Sequence, residues 1–183
     1  MNSPRILTQA LRRFWISAPL VFASLVPALA QAPAAPACGA PEYRQLDFWV
    51  GRWQVYPKSA PDHKVADSLI ERLYDGCAIR ENWMPLKGSP GGSLSAYRSS
   101  EKGWHQTWLD STGAWVEFKG GWTGKSLVIE GLWPQPGFPN RHVRMSYTRL
   151  ENGDVEQLGE DSDDQGKTWQ PDFDFLYRKA PQS

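Results

Sequence analysis

The stretch Phe48-Trp49-Val50-Gly51-Arg52-Trp53 sets three large aromatic residues around one glycine, immediately ahead of a chain that reads as strand after strand. From about Tyr43 onward, short runs rich in aromatic and β-branched residues alternate with turn signals at intervals of about ten residues. The turns are Asp75-Gly76, Ser89-Pro90-Gly91-Gly92, Glu101-Lys102-Gly103, Ser111-Thr112-Gly113 and Gly120-Gly121, then Pro134 to Asn140, Asn152-Gly153 and Asp164-Gln165-Gly166. Asn152-Gly153 is the strongest hairpin signal, because both residues tolerate positive φ. Between these turns the pattern predicts strands near 47–56, 66–74, 77–84, 93–99, 103–110, 114–119, 124–133, 142–149, 154–162 and 167–178. No window carries an amphipathic helix beyond a short one near Pro41–Leu46. Successive hairpins place sequence neighbours side by side, and so long a meander leaves two raw edges unless it closes. The expected fold is therefore all-β, a single antiparallel up-and-down barrel of about ten strands, with a β-sandwich as the alternative.

The chain ahead of this domain has a different character. Arg5, Arg12 and Arg13 precede an apolar stretch from Phe14 to Leu29, and Ala28-Leu29-Ala30 supplies a small-x-small cleavage site. Residues 1–30 thus read as a signal peptide cleaved after Ala30. The apolar stretch is short for a spanning helix and is broken by Pro19 and Pro27, so no membrane anchor is expected to remain. Residues 31–42 are a Pro/Ala-rich linker, and 43–179 form the barrel domain. The expected location is periplasmic or secreted. Cleavage leaves 17 basic against 20 acidic residues, a net charge of −3, which argues against nucleic acid or an anionic membrane as partner.

Cys38 and Cys77 are the only cysteines. In an oxidising compartment they are expected to pair, tying the loose N-terminal segment to the body and stabilising the fold by roughly 4 kcal/mol.

Phe48-Trp49-x-Gly51-x-Trp53 at the start and Phe175-Leu176-Tyr177-Arg178 at the end resemble the calycin superfamily of lipocalins, fatty-acid-binding proteins and nitrobindin-like barrels. Within it, the chain looks most like a set of secreted bacterial domains. The resemblance implies that Trp53 plugs one end of the barrel and that Arg178 lies across it as a structural lock. About ten strands suit the fatty-acid-binding or nitrobindin-like members better than the eight of lipocalins.

A second motif, Ser162-x-Asp164-x-Gly166-x-Thr168-Trp169, matches the Asp-box hairpin of sialidase-type propellers. It occurs once, in a chain too short for several propeller blades, so it reads as a well-made turn without glycosidase meaning. His63, His105 and His142 lack any zinc spacing, and no metal or other cofactor is expected.

Nine of the ten tryptophans survive signal removal. Period two places Trp104, Gln106, Trp108 and Asp110 on one strand face, large aromatics mixed with polar ends. Ile79, Glu81 and Trp83 share a face, as do Leu69, Glu71 and Leu73. An inward Glu81 needs an Arg or a ligand as partner, since an unpaired buried charge is costly, and Arg80, Arg98 and Arg144 are the available guanidinium groups. The predicted site is a semi-polar pocket of Glu81, Trp83, Tyr97, Gln106 and Trp108, with Arg144 orienting a ligand's polar end. The function expected from it is binding of a small, partly apolar molecule in the barrel interior. Two alternatives stand beside it: a carbohydrate-binding module using Trp115, Trp122 or Trp133 as platforms, and an enzyme using the same cavity with Glu81 or His105 as base. No catalytic residue is assigned.

Overall fold

Buried and more exposed side chains alternate along most of ten strands, and the sheet they form has no free edge. The strands of this computed structural model are β1 Gly51–Pro57, β2 Ala66–Leu73, β3 Ala78–Pro85, β4 Gly91–Arg98 and β5 Gly103–Asp110, then β6 Trp115–Trp122, β7 Ser126–Leu132, β8 His142–Arg149, β9 Val155–Ser162 and β10 Gln170–Lys179. The described residues are 37–181 apart from 140; the predicted signal peptide lies outside them. Each strand pairs antiparallel with the next, and β1 pairs with β10, closing the up-and-down barrel. The sandwich alternative is thereby excluded.

One end of the barrel is plugged by the chain that enters it. Two 3₁₀ turns lead in: Pro41–Arg44 lies where a short helix was expected, and Asp47–Trp49 replaces the first residues of the expected strand. They set Leu46 and Trp49, both fully buried, beneath the sheet. Gly51 then redirects the chain into β1 with φ +147°, and a Cβ there would lie 2.6 Å from Lys179 Nζ. That is why a glycine separates the two tryptophans. Trp53 is buried and donates its indole N–H to the carbonyl of Trp49 at 2.7 Å.

The expected lock over Trp53 is present with a different residue. Register opposes Trp53 to Lys179 and Gln54 to Arg178, so alternation turns Lys179 to the Trp53 side and Arg178 away. Lys179 Nζ stands 3.9 Å from the Trp53 ring centre. Arg178 instead covers Tyr56 at 4.7 Å and donates to the carbonyl of Pro61 at 2.7 Å.

Cys38 and Cys77 form a disulfide, Cα–Cα 5.1 Å, which fits a protein of an oxidising, non-cytoplasmic compartment. Arg44 reinforces it by donating to the carbonyls of Cys38 and Gly76 at 2.9 and 2.6 Å. At the other end of the chain, the Asp164 carboxylate accepts from the Lys167 and Thr168 amides, each at 2.9 Å, and from the Thr168 hydroxyl at 2.7 Å. Gly166 takes the left-handed position with φ +81°. The Asp-box is therefore the β9–β10 hairpin turn.

Candidate functional site

Above the plug the barrel interior turns polar. Ser68 of β2, Glu81 of β3, Ser93 and Ser95 of β4, Gln106 of β5 and Gln157 of β9 are all buried, as are Tyr147 of β8 and Tyr177 of β10. They form a belt of hydrogen bonds. Tyr177 Oη lies 2.6 Å from Gln157 Oε1 and 3.2 Å from Glu81 Oε1. Gln157 Nε2 donates to Tyr147 Oη at 3.2 Å, and Gln106 Nε2 donates to Ser95 Oγ at 2.9 Å and to Tyr147 Oη at 3.3 Å. The plug supports this belt from below, with Trp49 packed 4.7 Å from the Tyr147 ring and 5.8 Å from the Tyr177 ring.

The hydrogen count on the belt bears on Glu81. A phenol has one hydrogen, and the 2.6 Å contact to Gln157 claims that of Tyr177. The contact between Tyr177 Oη and Glu81 Oε1 is then complete when the carboxyl carries a proton. Ser68 donates to Glu81 Oε1 at 3.0 Å, while Oε2 has only the long 3.4 Å contact from Ser93. Burial pushes this carboxyl up to about 7, with the Ser68 hydroxyl the largest pull the other way. Burial, together with the charge of Glu81, also raises Tyr147 and Tyr177 well above an ordinary phenol.

Over the belt lies a cavity of about 170 Å³. Its floor is Glu81, Gln106, Met145, Tyr147, Gln157 and Tyr177, and its walls are Trp83, Trp108, Trp133, Phe173 and Phe175. The wall residues are only partly buried, so the cavity reaches solvent at the end away from the plug. Trp83 packs on Phe175 at 5.8 Å, Trp108 on Trp133 at 6.2 Å and Phe173 on Phe175 at 5.0 Å. Phe173 reaches its place because it lies against Gly159, where a Cβ would come within 2.2 Å of the ring.

Of the residues singled out in the sequence, Glu81, Trp83, Gln106 and Trp108 meet in this cavity. Tyr97 does not. Its partner in register is Trp104, at the plug end, and it packs there between Tyr43 at 5.3 Å and Trp104 at 6.1 Å. Arg144 does not either. Val143, Met145 and Tyr147 are the buried residues of β8, so Arg144 projects outward, pairs with Glu160 at 2.8 Å and covers Trp169 at 4.2 Å. None of the three arginines meets Glu81, whose contacts are three hydroxyls. Glu71 also faces out, paired with Arg80, and His105 bonds Glu101 at 2.8 Å on the barrel exterior. Among the described residues no three metal-ligating side chains converge.

Seven lining residues were missed: Trp133, Met145, Tyr147, Gln157, Phe173, Phe175 and Tyr177. Period two was the available signal, since Phe173, Phe175 and Tyr177 alternate along β10. Trp133, expected as a surface platform, instead closes the cavity. Trp122 packs on Phe48 at 6.2 Å, leaving only Trp115 of the three strongly exposed, at 66%.

Compared with known proteins, the chain matches no protein-family model and no curated protein sequence.

Proposed function

We propose that this protein is a secreted, calycin-like barrel that binds a small, partly apolar molecule inside its open end. The carrying observation is the cavity itself, with aromatic walls over a floor of buried polar groups held in place by one another. Apolar walls with a few fixed polar groups are the usual make-up of a small-molecule site. Its volume is close to the roughly 150 Å³ that takes up benzene in a protein interior, so the occupant is on the scale of a single ring or a short chain. The polar belt fixes orientation, because each group is already bonded to its neighbours and moves little on binding. Residues 1–30 supply export and the disulfide suits the destination.

The test compares native and denaturing mass spectra of protein purified from the periplasm without denaturant, for the wild type and for Trp108→Ala. A defined small mass lost on denaturation, and absent from folded Trp108→Ala, supports the reading. Retention of that mass by Trp108→Ala places the ligand elsewhere.

A further inference from the structure

We propose that the occupant of this cavity is a small organic amine, bound as a cation with its ammonium on Glu81 and its apolar body among Trp83, Trp108, Trp133, Phe173 and Phe175. This rests on the cavity reading above and narrows it to one charge class.

The charge inventory of the cavity is one-sided. Among its lining residues there is no Lys, Arg or His; the only carboxyl is Glu81. A carboxylate or phosphate ligand therefore has no counter-charge inside. The nearby cations are committed elsewhere. Arg141, whose carbonyl accepts from the Trp133 amide, is held between Asp161 and Asp172. Lys58 is held by Glu156 and Asp174, and Arg144 lies on the outer face with Glu160.

What remains favours a cation on two independent counts. Glu81 Oε2 carries only the weak Ser93 contact, so the carboxyl keeps acceptor capacity toward the cavity. The walls are five aromatic rings, whose negative faces favour a cation over an anion in the space above Glu81. A neutral ligand uses the walls and can donate a hydrogen bond to Glu81, but brings no counter-charge to the carboxylate.

Binding of an ammonium must expel the proton from Glu81. The groups facing this carboxyl are Ser68 of β2, Ser93 of β4 and Tyr177 of β10, with Tyr147 of β8 next beyond. None of them carries a charge at neutral pH. Glu81 is thus the group whose ionisation governs amine affinity, and affinity falls as pH drops below about 7.

The test is a matched series of benzylamine, benzyl alcohol and benzoate, measured by calorimetry and tryptophan fluorescence at pH 8 and pH 5.5. Benzylamine is expected to bind about tenfold or more tighter than benzyl alcohol at pH 8, with benzoate weakest. That preference should shrink at pH 5.5, where Glu81 is protonated. Glu81→Gln should lose the preference for the amine over benzyl alcohol; the pH comparison on wild-type protein stands even if that variant folds poorly. Benzyl alcohol or benzoate binding as well as the amine overturns the amine assignment and leaves the cavity reading intact. Binding of none of the three overturns both.

Discussion

Glu81 couples the barrel's stability to pH in a direction opposite to that of most carboxylates. Its ordinary value of 4.5 rises to about 7 on burial, so between these limits the native protein holds a proton that the unfolded chain has lost. Stability is then highest below about 4.5, as far as this group is concerned, falls as pH climbs to about 7, and levels off above. The gap corresponds to roughly 3 kcal/mol. Urea unfolding of wild-type protein at pH 5 and pH 8 should show most of that loss, and Glu81→Gln should remove it. A wild-type slope equal to that of Glu81→Gln would mean that Glu81 is ionised in the folded protein at both pH values. The same residue shows what a sequence reveals and what it hides. Its place between Ile79 and Trp83 meant that it either faced in or broke the pattern, and it faces in. That three hydroxyls rather than a guanidinium would meet it depends on the register of β2 and β4 against β3, which sets Ser68 and Ser93 beside it, and on barrel closure, which brings Tyr177 across.

At the scale of strands and turns, the period-two pattern and the turn residues made nearly every strand legible, although Gly120-Gly121, expected as a turn, lies inside β6, where Gly120 lets the Val128 carbonyl approach closely. The exceptions have local causes. Residues 47–49 are as aromatic as a strand, but form a 3₁₀ turn because Trp49 is wanted as the plug rather than in the wall. Lys179 takes the role expected of Arg178 because a shift of one residue in register reverses the facing of every side chain, and a single sequence does not set the β1–β10 register. Short-range chemistry was far more readable. The Asp-box hairpin is specified by side chains within seven residues of one another, and its carboxylate is held well below the ordinary carboxylate range by the Thr168 amide and hydroxyl, then by Ser162 and Lys167. Asp164→Ala should therefore free the Lys167 and Thr168 amides and speed their hydrogen exchange by roughly tenfold or more, with little change at the Asn152-Gly153 turn. Unchanged exchange at Lys167 and Thr168 would show that Trp169 packing, not the carboxylate, holds the hairpin.

At the scale of the whole molecule, the barrel has two ends with separate duties. One is sealed by Leu46, Trp49 and Trp53 and clamped from outside by the Cys38–Cys77 bridge and Arg44. The other carries the aromatic mouth. The bridge closes a loop of 39 residues, and in the chain-entropy model such a cross-link stabilises the fold by roughly 4 kcal/mol, about 10 °C in Tm for a domain of this size. Because Cys77 immediately precedes β3 at the plug end, two register steps below Glu81 on that strand's inner face, removing it loosens the clamp without touching the cavity walls. The double variant Cys38→Ser/Cys77→Ser should accordingly melt about 10 °C lower, yet bind benzyl alcohol as the wild type does at 20 °C. The belt argues the same way, since Tyr147 and Tyr177 hold Glu81 and Gln157 through contacts that do not involve the N-terminal segment except at Trp49. Loss of binding in a folded double variant would show that Trp49 needs the clamp to support the belt, so that the two ends act as one device. Thermal melts and ligand titration on the same sample decide between them.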